Sequence, residues 1–299
     1  MTPYLPDAVS KSLYPFDGKF IALNSGAKMH YLDEGSGEPV VMLHGNPSWS
    51  FYYRDLALAL RDGRRVIVPD HIGCGLSDKP GDERYDYTLK SRVDDMEFLL
   101  DALGVKENIT LVVHDWGGMI GMTYAARHPE RIKKLVILNT GAFFLPDGKS
   151  FPAALRLCRT PLGAALIRGF NAFARGAAWT GCKRRRMPKA LRDAYAAPYD
   201  SWANRIATLR FVEDIPLAPG DKAYPLVEET QEKLGALEAL PMLICWGMKD
   251  FVFDGHFLEE WKRRFPRAEV HAFPDCGHYI LEDAKEEVIP LIKDFIENE

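Results

Sequence analysis

The sequence predicts an α/β protein, a mostly parallel, doubly wound sheet carrying one inserted helical segment. Three observations predict it. Short apolar runs recur along the chain and are unbroken rather than alternating, which is how strands covered on both faces read. Amphipathic helical stretches lie between these runs, the order expected of a parallel sheet flanked by helices. In the middle of the chain the strand signal stops, and it resumes only near the C-terminus.

Strands are expected at 39–44, 65–69, 109–114, 134–138, 242–246 and 269–273, each bounded by turn residues. A helix is expected at 92–103, where Val93, Met96, Leu99, Leu100 and Leu103 share one face, and another at 118–127, directly after a strand. From Phe143 to Leu226 there is helical character at 153–158, 162–175, 191–195 and 204–211, with many prolines and no convincing strand. The chain is therefore parsed as one α/β core, 1–142 and 226–299, interrupted by a helical cap at 143–225. The basic run Lys183, Arg184, Arg185, Arg186 in that cap would suit an acidic partner, but it reads first as a solvated helix face or loop. The cap's apolar residues Phe143, Phe144, Leu155, Leu162, Phe170, Phe173 and Trp179 suit an alkyl substrate and suit helix packing equally.

At 299 residues the chain is long enough for one large core. Hydrophobic residues at 47% and charged residues at 27% exclude the disordered and fibrous classes. Thirty-eight basic against 42 acidic residues leave a net charge of −4, so no global basic footprint marks a nucleic-acid partner. Five scattered cysteines without a C-x-x-C pair argue against a zinc ribbon or redox motif and fit a reducing cytoplasm. The first 30 residues, opening Met1, Thr2, Pro3, Tyr4, lack the basic start and apolar run of a signal peptide, and no stretch approaches a membrane span. The expectation is a cytoplasmic protein for a small hydrophobic substrate, with no metal and no cofactor.

The strongest chemical signal is Val112, Val113, His114, Asp115, Trp116, Gly117, Gly118. A buried strand ends there, a sharp turn follows, and a helix opens on two glycines that allow close packing. This is the setting of a nucleophile elbow, with Asp115 where serine usually stands and Val113 two residues before it in place of glycine. Serine needs a base to take its proton before attack, whereas aspartate is ionised at neutral pH and can displace a leaving group from saturated carbon. Asp115 also suits a helix N-cap, so the rest of the constellation decides.

His44, Gly45, Asn46 and Pro47 follow the first strong strand, where an α/β-hydrolase carries an oxyanion-hole N–H. The backbone N–H and side-chain amide of Asn46 are expected to aim at the same point as the backbone N–H of Trp116. The Asn46 amide and the Trp116 indole would then hold a departing anion. His278, after the last strand, stands where chain order puts the base, and Asp250 is the acid expected to orient it, with Asp254 as substitute. His30, His71, His128, His256 and His271 have no such placement, and the role of His114 stays open. The Gly-rich loop at 70–80 lacks dinucleotide and Walker spacings and reads as a turn beneath the site.

These residues carry a resemblance that covers essentially the whole chain. His-Gly-Asn-Pro at 44–47, the loop at 70–80, His-Asp-Trp-Gly-Gly at 114–118, Trp-Gly-Met-Lys-Asp at 246–250 and Gly-His at 277–278 look like haloalkane dehalogenases, members of the α/β-hydrolase fold. The resemblance implies Asp115 as nucleophile, His278 as base, Asp250 as acid, and Asn46 with Trp116 as the anion-stabilising pair. Asn139 stands where one dehalogenase subfamily has a glutamate as acid, so an acid at Asp250 fits the other subfamilies. Epoxide hydrolases share the His-Asp-Trp-Gly run but usually have an aromatic where Asn46 stands, and they use lid tyrosines, for which Tyr195, Tyr199 and Tyr224 are available.

A closer resemblance is to the β-lactone decarboxylases of bacterial long-chain olefin biosynthesis. Asp-His-Ile-Gly-Cys-Gly at 70–75, Arg-Tyr-Asp-Tyr-Thr at 84–88 and Pro-Tyr-Asp-Ser-Trp-Ala-Asn-Arg at 198–205 carry it. It implies loss of carbon dioxide from a cis-3-alkyl-4-alkyloxetan-2-one to give a cis-alkene, and a β-lactone synthetase as partner. The alternative is hydrolysis of a haloalkane through an alkyl-aspartyl ester. A non-catalytic binding module is the reading of a different class, and the presence together of nucleophile, acid, base and anion pair argues against it.

Overall fold

The computed structural model describes residues 5–298; Met1 to Tyr4, where the signal-peptide reading begins, lie outside the described residues. The six apolar runs form strands β3 (Pro39–Leu43), β4 (Arg65–Pro69), β5 (Ile109–Asp115), β6 (Ile132–Thr140), β7 (Met242–Gly247) and β8 (Glu269–Phe273). All five pairings among them are parallel. Two further strands, β1 (Lys19–Ala22) and β2 (Lys28–Glu34), add an antiparallel edge, and the sheet runs β1-β2-β4-β3-β5-β6-β7-β8. This is the expected α/β class with a mostly parallel sheet.

The helices are α1 (Arg54–Leu60), α2 (Leu89–Ala102), α3 (Trp116–Arg127), α4 (Ala153–Cys158), α5 (Pro161–Phe170) and α6 (Ala172–Thr180). They continue with α7 (Lys189–Ala196), α8 (Ile206–Glu213), α9 (Tyr224–Lys233), α10 (Gly255–Arg264), α11 (Ile280–Asp283) and α12 (Lys285–Glu297). Successive side chains of a strand point to opposite faces, so β3 and β5 feed two separate cores. Val41, Leu43, Leu111 and Val113 pack with α2, α3 and the Phe257 and Trp261 face of α10. Val40, Met42 and Val112 pack with α1, α11 and α12.

Between β6 and β7 the described residues form helices α4 to α9 and no strand. The helix expected over 162–175 is two helices, because Asn171 sits at φ 56°, ψ 33° and ends α5 before α6 starts. Asparagine visits this left-handed region more readily than most residues, and its Nδ2 donates to the Ala196 carbonyl at 3.3 Å. Helix α9 packs on α3, with the Thr123 and Thr230 hydroxyls 2.9 Å apart.

Candidate active site

The parallel strands β3, β5, β6 and β7 all end at the same edge, and the turns that follow them converge there. Asp115 closes β5 at φ 52°, ψ −127°, a conformation that costs a residue with a Cβ about 1–3 kcal/mol. The surroundings hold it there. The Thr140 hydroxyl at the end of β6 donates to the Asp115 carbonyl. Gly117 has no side chain because a Cβ would overlap the Leu43 carbonyl at the end of β3, and a Cβ on Gly45 would overlap the Asp115 carboxylate.

The carboxylate makes no cap hydrogen bond to α3. Its Oδ1 accepts instead from the Asn46 backbone N–H at 2.6 Å, and Oδ2 lies 3.6 Å from His278 Nε2. The other ring nitrogen of His278, Nδ1, donates to Asp250 Oδ2 at 2.6 Å. Asp250 is itself fixed, because Val252 N–H donates to its Oδ1 at 2.8 Å and Asn139 Nδ2 to its Oδ2 at 3.2 Å. Sequence-predicted Asp115, His278, Asp250, Asn46 and Trp116 are thus brought to one place.

Charge follows this geometry. Burial raises the Asp115 pKa above the ordinary carboxylate value, against the pull of His278 and the N–H groups of Trp116 and Asn46. Burial disfavours the His278 cation, but Asp250 and then Asp115 outweigh it and leave the imidazole pKa above the ordinary histidine value. A carboxylate on a strained elbow faces an imidazole oriented by a second carboxylate, which equips the site for nucleophilic displacement or for proton handling.

A family model described as the alpha/beta hydrolase fold matches residues 38–285. This chain belongs to the alpha/beta hydrolase fold family. The chain is 65% identical over 286 residues to a protein of Shewanella oneidensis named cis-3-alkyl-4-alkyloxetan-2-one decarboxylase, covering 95% of this chain and 90% of the relative. A protein of the same name from Xanthomonas campestris pv. campestris is 52% identical, covering 95% and 97%. The crystal structure of haloalkane dehalogenase DbeA from Bradyrhizobium elkani superposes with a TM-score of 0.83 at 27% identity, covering 93% and 97% of the two chains.

In this alpha/beta hydrolase a cavity of about 430 Å³ opens above Asp115. Asn46, Trp116 and His278 line its base, and its walls are apolar, with Phe143, Phe144, Leu155 and Phe173 among them. Leu162, Phe170 and Trp179, grouped with these by sequence, do not line it and are exposed. The Asn46 side chain departs from expectation. Its Nδ2 donates to the Thr208 carbonyl in α8 at 3.1 Å, so the amide is held against the helical segment and the backbone N–H alone reaches Asp115. A local reading of 44–47 has no access to that contact, which spans more than half the chain. The Trp116 ring packs 5.3 Å from Phe211 and under Arg92.

His114 receives a place. Its Nε2 donates to the His278 carbonyl at 2.9 Å, Tyr52 stacks on its ring, and burial pushes its pKa well below the usual histidine value, so a neutral ring props His278. Asp254 is elsewhere, capping α10 through the His256 N–H and pairing with Lys149 at 2.7 Å. Tyr195 and Tyr199 are buried and bonded to Glu282 and to the Ser48 carbonyl, and Tyr224 stacks on Phe144; none of the three lines the cavity. Asn139 was visible in sequence only as the absence of a glutamate, and its amide proves to be a support of Asp250.

Proposed function

We propose that this chain is a cis-3-alkyl-4-alkyloxetan-2-one decarboxylase, with Asp115 as nucleophile, Asp250 orienting His278, and residues 143–225 forming a cap over the site. Near-full-length similarity to two proteins of that name carries the substrate class. The apolar cavity above a single carboxylate supports it, since two alkyl chains need apolar walls and one reacting group.

In this reading Asp115 Oδ2 attacks C4 of the ring, breaking the bond to the ring oxygen and releasing a carboxylate on C3. The C2–C3 bond then breaks, carbon dioxide leaves, its electrons form the alkene, and the C4–Oδ2 bond breaks to restore Asp115. Inversion at C4 followed by anti elimination turns a cis ring into a cis-alkene. His278, as a cation between Asp250 and Asp115, stabilises the released carboxylate and no hydrolytic water is needed. A β-lactone synthetase is the partner that would supply so strained a ring, and five unpaired cysteines suit a reducing cytoplasm.

Haloalkane hydrolysis is the second reading, favoured by the dehalogenase likeness of the fold. There, water activated by His278 attacks Cγ of the alkyl-aspartyl ester, so solvent oxygen enters Asp115. Turnover of a cis-dialkyl β-lactone in oxygen-18 water is expected to give cis-alkene and carbon dioxide, with no label in the peptide bearing Asp115. Halide release from a 1-iodoalkane at good turnover, without alkene from the lactone, sinks the decarboxylase reading.

Asn139→Ala is expected to lower kcat about tenfold with little change in KM, as one hydrogen bond to a charged group is worth about 1.5 kcal/mol. An unchanged kcat would mean that Val252 and His278 hold Asp250 in place without the Asn139 amide.

A further inference from the structure

We propose that helices α4 to α6 dock this chain on an anionic lipid surface, so that the cavity opens toward hydrocarbon. Leu162, Leu166 and Phe170 repeat every fourth residue along one face of α5 and are 62%, 37% and 70% exposed. Leu166 also lines the cavity, as does Leu157, which is 49% exposed. The apolar stripe therefore begins at the cavity mouth and runs outward over the surface. Large exposed apolar side chains in one strip are a contact surface more often than an accident.

Charge says what the strip meets. From Gly148 to Arg192 there are eleven basic residues and no aspartate or glutamate, while the rest of the chain carries 27 basic and 42 acidic residues. Part of that excess is already used: Arg184 pairs with Asp275 and Glu287, and Arg185 with Glu286, which ties the basic run to the C-terminal region. Arg156, beside Leu157, and Arg175, in α6, are exposed and enter no ion pair among the described residues. Exposed Trp202 and Trp179 lie against the guanidinium groups of Arg168 and Arg186, at 4.9 and 3.7 Å. Apolar side chains flanked by arginine and tryptophan are the composition of a helix that lies in a bilayer interface.

An acidic protein would match the charge, but it gives no reason for the strip to continue into the substrate cavity. A bilayer does, because a dialkyl β-lactone dissolves in hydrocarbon and its alkene product returns there. That reason rests on the decarboxylase reading, whereas surface binding is measured without turnover. The full chain is sedimented with vesicles of equal parts phosphatidylcholine and phosphatidylglycerol, and with vesicles of phosphatidylcholine alone. Binding to the anionic vesicles, weakening as salt is raised, is the expected result.

Leu162→Asp/Phe170→Asp is expected to weaken binding tenfold or more, and Arg156→Gln/Arg175→Gln about fivefold per arginine. None of these four residues lines the cavity, so turnover of a short-chain, water-soluble lactone should match the parent and report that the variants are folded. Failure to sediment with the anionic vesicles, equal partition onto both vesicle types, or unaltered binding by the folded Leu162→Asp/Phe170→Asp variant overturns the proposal. So does capture by an acidic protein without vesicle binding. If vesicles are bound while no lactone is decarboxylated, docking stands and the catalytic reading falls.

Discussion

Asp115→Ala is expected to lower the rate of β-lactone decarboxylation by about 10⁴-fold or more, the scale on which loss of a nucleophile removes covalent catalysis. The substitution keeps the Cβ, so it adds no overlap at a position already forced to φ 52°. It does strip the Asn46 N–H of its acceptor, and an unpaired buried donor costs about 1–3 kcal/mol. A thermal melt therefore accompanies the rate measurement to separate a folded, inactive protein from a destabilised one. The cavity walls are untouched, so substrate binding should survive while chemistry is lost, a fall in kcat rather than a rise in KM. A folded variant that decarboxylates the lactone within tenfold of the parent would remove Asp115 from the chemistry. Asp115→Asn is a weaker test, because water directed by His278 can hydrolyse the amide back to aspartate.

The site was legible in sequence because its parts stand at strand ends, where local pattern and chain order both speak. Asp115 ends β5, and α3 begins directly behind it with Gly117 and Gly118; His278 follows β8; Asp250 follows β7. What escaped depends on distant contacts. Neither β1 nor β2 shows a continuous apolar run, since β1 lies largely exposed at the sheet edge and β2 pairs antiparallel between β1 and β4. Helix α10 has its apolar face interrupted by charged residues, and its cap, Asp254, stands four residues past Asp250, where the sequence also offers it as an acid. The Asn46 amide is directed by a carbonyl 162 residues away. The apolar residues of the helical segment looked alike in sequence, yet Phe143 and Phe173 face the cavity while Leu162 and Phe170 face outward. Periodicity finds a face; only the fold says what the face meets.

The Gly-rich loop at 70–80 lies under this site, and Asp70 is where it is anchored. Asp70→Ala is expected to destabilise the fold by about 3–4 kcal/mol, the range for removing one partner of a buried charged network. Its Oδ1 accepts from the Ser50 N–H at 2.6 Å, and its Oδ2 from the Leu76 N–H and His30 Nδ1, both at 2.8 Å. One carboxylate thereby joins β2, the segment after β3 and the loop after β4. Gly75, at φ 49°, lets the loop fold back on it, for a Cβ there would overlap the carboxylate. Burial alone would raise the Asp70 pKa, but His30, His44 and the Leu76 N–H hold it at about 2. Since that lies below the value of about 3.9 in an unfolded chain, the carboxylate contributes its full stability above about pH 4. The contribution is lost as pH falls through the folded value. Denaturant melts of parent and variant should therefore differ most near neutrality and converge as pH falls from about 4 toward 2. At neutral pH the melting temperature should drop by roughly 5–6 °C. A loss under about 1 kcal/mol, or a gap that stays constant down to the lowest pH, would mean that the Asp70 network is not what secures the loop under Asn46 and Asp115.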